Sequence, residues 1–181
     1  CPGSSETWAI KKNLRLGVAT HTEILEFQLN YPGGRPLNRV AAYSLNIALR
    51  RALAERIGIE EQEIGAAFSP SRDQHGQAVS SMYLYDTAQG GAGYVSQALR
   101  WLPELFHTAR QVLSCPRNCD SACQACLLTY DTQYHTDDLD RHEALALLDD
   151  NYLNAFKLPA NLRAFGASSR LEMEPLLLAM R

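Results

Sequence analysis

Cys115-Pro-Arg-Asn-Cys119-Asp-Ser-Ala-Cys123-Gln-Ala-Cys126 is the stretch on which the reading of this chain turns. Four of the five cysteines fall within these twelve residues, and only Cys1 lies elsewhere. A secreted disulfide scaffold scatters its cysteines, and a chain of 181 residues can bury a core without such staples. The clustering therefore points to a metal held in a reducing cytoplasm. The spacing is C-x3-C-x3-C-x2-C, and short Cys-to-Cys loops are what wrap a backbone around a tetrahedral ion. Zn²⁺ takes four thiolates at about 2.3 Å, and four thiolates leave no position for water. Such a closed site is structural, because catalysis needs an exchangeable ligand. Pro116, Asn118 and Asp120 suit the tight turns that aim sulfur inward. Two disulfides and a four-iron cluster are the competing readings. The spacing departs from the C-x2-C-x2-C-x3-C-P run of ferredoxins, and one zinc ion is the expectation.

Working outward, a strand is expected just before a glycine loop. Val79–Asp86 alternates, with Met82 and Leu84 opposing Tyr83 and Tyr85. It runs into Gln89-Gly90-Gly91-Ala92-Gly93 and then a helical pattern of Val95, Ala98, Leu99, Leu102, Leu105, Phe106, Ala109, Val112 and Leu113. Pro103 kinks this helix or starts a second one. Upstream, Leu14–Ala19 and Glu23–Leu29 read as strands. Asn38 is an N-cap for a helix to about Ile57, stopped by Gly58. Its apolar stripe is Ala41, Leu45, Ala48, Leu49, Ala52, Leu53 and Ile57, with Arg39, Arg50, Arg51 and Arg56 largely on the other side. A short strand over Ile64–Phe68 and a polar loop through Pro70 and Gly76 follow. After the cysteines, one last helix opens near Asp138, with Leu145, Leu148, Tyr152 and Phe156 inward. The order predicts an α+β fold, a mostly antiparallel sheet with packed helices and a four-cysteine zinc-binding segment. The expected layout is a lead-in over 1–13, the domain over 14–158 and a tail over 159–181. Cys1-Pro2-Gly3 reads as a start in the middle of something longer.

Composition narrows the function. Hydrophobic residues make up 46% and charged residues 20%, which is globular rather than disordered. No apolar run reaches the ~18 residues of a membrane helix, so no membrane partner is expected. A formal charge of −3 gives no overall basic footprint, so any nucleic-acid contact has to come from a local patch.

The glycine loop carries two open readings. Strand, loop and helix can present backbone N–H groups to an anion. The loop reads Gly91-x-Gly93-x-x-Ser96, without the third glycine of a dinucleotide fingerprint or the Lys-Ser/Thr of a Walker A loop. Nucleotide hydrolysis by this chain is not expected. The glycines either let strand meet helix closely or contact a nucleic-acid phosphate. Asp86 either caps the turn or, with His135, serves a hydrolase in which the two side chains converge in a pocket.

Taken together, several motifs resemble a known family. They are Leu84-Tyr85-Asp86, Gly90-Gly91-Ala92-Gly93-Tyr94, the cysteine cluster ending Cys126-Leu127-Leu128-x-Tyr130, and His135 with Leu139-Asp140-Arg141. Leu16-Gly17 and Thr22-Glu23-Ile24-Leu25-Glu26 fit as well. Residues 14–150 are similar to the zinc-binding domain at the C-terminus of Mrf-type DNA-repair helicases and of DISARM- and Druantia-type anti-phage helicase systems. One departure is Thr132, where the family often has asparagine. The resemblance implies an accessory module of a superfamily 2 ATPase, in the same chain or as a partner subunit, that shapes a DNA path or docks a partner. A stand-alone scaffold subunit of a defence complex is the alternative. With the resemblance and the loop, the residues expected near DNA are Gly90, Gly91, Gly93, Arg100, Arg110, Arg117, His135 and Arg141.

Overall fold

In a computed structural model the described residues are 14, 17, 19–31, 34–73 and 75–156. They form an α+β fold with a sheet of three antiparallel strands in the order β1-β3-β2. The strands are β1 (Ile24–Leu29), β2 (Ile64–Arg72) and β3 (Ala78–Asp86). The expected strand over 14–19 falls largely outside the described residues, as do the lead-in and the tail. β2 runs on through Pro70 to Arg72, past the end expected at Phe68, because Pro70 and Arg72 still pair with Ser80 and Ala78. Strand alternation sets the buried face. Phe27 lies opposite Met82, which on its other side lies opposite Phe68, and Met82 and Leu84 are fully buried. Gly65 faces Tyr85, where a Cβ would sit 2.2 Å from the ring, so glycine makes room for the aromatic.

Helix α1 (Arg39–Ile57) begins and ends as its sequence dictates. Asn38 Oδ1 accepts from the N–H of Ala41 at 2.7 Å, and Gly58 takes the left-handed conformation at φ 76°. The helix packs against β2 and β3 as well as against α3 (Leu102–Ser114) and α4 (Arg141–Leu145). Being wedged between sheet and helices buries more of it than one stripe. Ala42, Ser44, Asn46, Ile47 and Arg50 join the expected apolar positions inside. Arg50 therefore corrects the sequence reading: it is 2% exposed rather than on a solvated face. It is tolerable there because Asp131 pairs with it, Thr129 Oγ1 lies 3.1 Å away and Glu61 3.7 Å away. Burial pushes the Asp131 carboxyl up, but hydrogen bonds from Arg50 and Thr129 outweigh that and bring it down to about 2. Its stabilisation is thus present above the ordinary carboxylate range and is lost as pH falls through that range toward 2.

Pro103 starts a helix rather than kinking one. A short α2 (Tyr94–Gln97) and a 3₁₀ turn (Ala98–Trp101) precede α3, with the proline in the first turn, where no intrahelical N–H is needed. The break rotates Leu99 outward, and it is 53% exposed instead of joining the buried stripe. The single helix expected from Asp138 is likewise divided. A 3₁₀ segment spans Thr132–Asp138, then α4 is capped by Asp140 and α5 (Asp150–Ala155) by Asp149. Two aspartate caps nine residues apart in the chain provide the separate starts. Phe106 of α3 bridges the layers, meeting Phe27 edge-on at 6.3 Å and Phe156 in a stack at 4.9 Å.

Asp86 explains the glycine loop. Its buried carboxylate accepts from the backbone N–H groups of Ala92 at 2.7 Å, Tyr94 at 3.1 Å and Val95 at 3.0 Å. Gly90, Gly91 and Gly93 all have φ near +80°, which lets the chain fold back over that carboxylate. The protein's own anion thus fills the cradle that the loop forms. Replacing Asp86 by Ala orphans three donors and is expected to cost about 3 kcal/mol, whereas Asp86→Asn, keeping one acceptor, costs less. Chemical denaturation of the zinc-loaded chain measures this, and an Ala variant as stable as the parent would mean the donors find other acceptors.

Candidate metal centre

The first ligand is thrown off the end of α3. Cys115 follows Ser114 with φ 42° and ψ 112°, outside the helical region, and Pro116 prevents the helix from continuing. The N–H of Asn118 donates to the Cys115 carbonyl at 2.9 Å and closes a turn, with Asn118 itself at φ 46°. Asparagine tolerates that conformation better than most residues. The second half is a tighter turn, with Cys126 N–H donating to the Cys123 carbonyl at 2.9 Å and Leu128 N–H to the same oxygen at 3.0 Å.

These turns bring all four sulfurs within 4.8 Å of one another. Cys115–Cys123 and Cys119–Cys126 are each 3.6 Å apart, and Cys123–Cys126 is 3.9 Å. A tetrahedral ion with bonds of about 2.3 Å sets its sulfurs about 3.8 Å apart, so the cage has the size of one zinc ion. Disulfides would need sulfurs at about 2.05 Å. A four-iron cluster would have to fit inside its four sulfurs and spread them well beyond this cage. Backbone N–H groups point at two of the sulfurs, Cys123 N–H at Cys126 Sγ at 3.2 Å and Ala125 N–H at Cys123 Sγ at 3.4 Å. The Cys119 N–H holds the Cys115 thiol below the ordinary range, while burial pushes Cys119 and Cys126 up. Without a cation, four crowded thiols cannot all ionise. Zn²⁺ supplies the charge that lets them do so, and with it folding free energy on the order of 10 kcal/mol in small peptide sites.

Two arginines lock this knuckle to the body of the fold. Arg141 is 3% exposed, and its guanidinium donates to the carbonyls of Cys119 at 2.7 Å and Leu113 at 3.2 Å and to Asn118 Oδ1 at 2.8 Å. Its own N–H donates to Ser121 O at 2.8 Å. Arg51 reaches from α1 to the Cys126 carbonyl at 2.9 Å. Both bring positive charge beside a centre that is dianionic with four thiolates and Zn²⁺.

Arg141 therefore corrects the expected nucleic-acid contact: all its polar reach is spent inside the knuckle, and burial keeps it from a phosphate. Arg110 pairs with Asp150. Arg100 and Arg117 are exposed, and their side chains make no ion pair among the described residues. Exposed His135 packs edge-on against Tyr43 at 6.0 Å and lies 3.9 Å from Asp138. Asp86 and His135 thus meet separate sets of neighbours, and both Asp86 oxygens are committed. Thr132, where asparagine was the family's frequent choice, is buried, donating to Leu127 O and accepting from Thr129 N–H. Sequence inspection missed Arg50, Arg51 and Arg141 as supports. Cys119 and Arg141 are 22 residues apart, and no spacing rule links them.

Metal analysis of the purified chain should find one zinc and little iron, and stoichiometric iron would sink the assignment. Cys→Ser at 115, 119, 123 or 126 should abolish stoichiometric zinc, whereas Cys1→Ser should retain it. Acidification should release the ion, because protons compete for thiolate. Arg141→Met should weaken zinc binding about 10–100-fold in chelator competition, with the tetrahedral cobalt(II) spectrum retained. Unchanged affinity would show that the clamp does not support the metal.

Comparison with known proteins agrees with this centre. The family model described as the MrfA Zn-binding domain matches residues 45–127, which include all four cysteines. The Druantia protein DruE of Escherichia coli (strain UMEA 4076-1) is 33% identical over 112 residues, covering 60% of this chain and 6% of that protein. The chain thus spans only a small part of that relative. Among solved structures, the DUF1998 helicase MrfA bound to DNA and AMPPNP matches with TM-score 0.50 and 15% identity over 70% of this chain and 15% of that one. The same helicase bound to DNA gives 0.46 and 18% over 61% and 14%. At 15% identity the likeness to the DNA- and AMPPNP-bound structure concerns the fold alone. The chain resembles the Mrf-type zinc-binding domain, and its four cysteines are a zinc site.

Proposed function

We propose that this chain is a zinc-stapled accessory module of a superfamily 2 DNA helicase, in DNA repair or anti-phage defence, with no chemistry of its own. The observation that carries the reading is the closed four-thiolate knuckle within the segment that matches the MrfA Zn-binding domain. Four protein ligands leave no open coordination position, and the loop most like a phosphate cradle is occupied by Asp86. The ATPase motors then belong to other domains, in the same polypeptide or a partner, and the module acts by position. Among the described residues no helix is long and apolar enough to cross a membrane.

DNA contact within such an assembly falls to the exposed cations that the fold leaves unpaired. Arg100 and Arg117 flank the two ends of α3 and are the best placed of the arginines considered. Such contacts would be to backbone phosphates, weakening with salt and indifferent to sequence.

The isolated chain should neither bind ATP tightly nor hydrolyse it, and turnover that survives further purification would refute the reading. In the full-length parent assembly, replacing Arg100 or Arg117 by Ala should each lower the salt slope of DNA binding by about one. An unchanged slope with both replaced would leave DNA contact to other parts of the assembly.

A further inference from the structure

The segment after the knuckle is anchored on one side and bare on the other. Asp131 is held by Arg50, and buried Thr132 ties the segment to Leu127 and Thr129. Between and beyond these anchors, Tyr130 and Tyr134 are each 78% exposed. Neither ring nor hydroxyl has a partner among the described residues. Gln124, Leu128, Thr129, Tyr130 and Gln133 line a cleft of about 380 Å³ between the knuckle and this segment. An unpartnered tyrosine on a rigid support is what interface hot spots are made of, since little entropy remains to be lost on binding.

Charge selects the partner. Residues 118–140 contain five aspartates (120, 131, 137, 138 and 140) and no lysine or arginine. Arg50 neutralises Asp131 and Arg39 neutralises Asp138, which leaves Asp120, Asp137 and Asp140 without an ion pair among the described residues. The zinc-bound knuckle would add a dianion, and Arg51 and Arg141 are spent on Glu61 and the knuckle carbonyls. A nucleic-acid phosphate approaching this cleft would meet like charge. A guanidinium or ammonium would meet the Tyr130 ring face and the amide oxygens of Gln124 and Gln133 that line the cleft.

We propose that the Tyr130 cleft is a docking site for an arginine- or lysine-bearing surface of a partner protein domain, not for nucleic acid. This goes beyond the helicase reading and does not depend on it, because the cleft's own chemistry selects the partner.

The test uses the zinc-loaded chain, followed by amide NMR while either an arginine–serine repeat peptide or a thymidine oligonucleotide is added. The peptide should shift the amides of Gln124, Thr129, Tyr130 and Gln133, and the effect should fade with salt. Tyr130→Ala should weaken peptide binding about fivefold or more while zinc content and spectral dispersion stay unchanged. The proposal is overturned if the oligonucleotide shifts those amides and the peptide does not. It is equally overturned if peptide shifts spread over acidic surfaces elsewhere and Tyr130→Ala binds as before.

Discussion

Four thiolates held close enough to share one cation are the constraint on which the rest of this fold depends. Sulfurs 3.6–3.9 Å apart repel as anions and are stable there only with a dication between them. Arg141 and Arg51 extend the effect outward. Through Leu113, Cys119 and Cys126 they join the knuckle to α3, α4 and α1. The small metal loop is therefore a joint between helices, added to the apolar packing and to the bonds that Ser44 and Asn38 of the α1 region make with Asp140 and Glu143. Asp131 continues the joint by neutralising Arg50 inside α1. A zinc ion held there would tie together a region wider than the twelve-residue segment that carries its four ligands.

The glycine loop shows how a familiar shape can have a different occupant. A strand leading through glycines into a helix presents N–H groups to an anion, and a phosphate is the usual guest. Here the guest is Asp86 at the end of β3. An internal carboxylate costs no binding entropy and is always present, so the loop serves to pin α2 to the sheet. This also removes Asp86 from catalysis, since both oxygens accept from fixed backbone donors.

Much of this was legible in the sequence, for reasons that are local. Asn38 and Gly58 bound α1 because capping is a matter of neighbouring residues, and the cysteine spacing announced its ion. The strand alternation of β3 was visible for the same reason. What escaped was non-local. Arg50 resembled a solvent-facing arginine because nothing within a helical turn reveals Asp131, 81 residues later. Arg141 resembled a phosphate contact because its partners are carbonyls, which leave no mark in sequence. Leu99 looked buried because a continuous helical period was drawn through the 3₁₀ turn before Pro103. The split of α4 from α5 was written in Asp140 and Asp149, two N-cap residues in what had been read as one stripe.

Net charge alone decides little about what this surface meets. Four ionised cysteines and one dication take the formal charge two units below −3, which on average would repel DNA. Yet the Debye length at physiological salt is about 8 Å. The 13 residues of α3 span about 20 Å, so charges at its two ends act independently. Arg100 lies in the 3₁₀ turn just before that helix and Arg117 just past its end, each exposed and without an ion pair among the described residues. The segment from 118 to 140 is acidic and carries the bare tyrosines. On the two proposals made above, a phosphate backbone and a basic protein surface would use different patches of one small domain. The boundary between the patches falls at the knuckle, between Arg117 in its first turn and Asp120 in its second. By fixing those turns, a bound zinc ion would set where the one proposed surface gives way to the other.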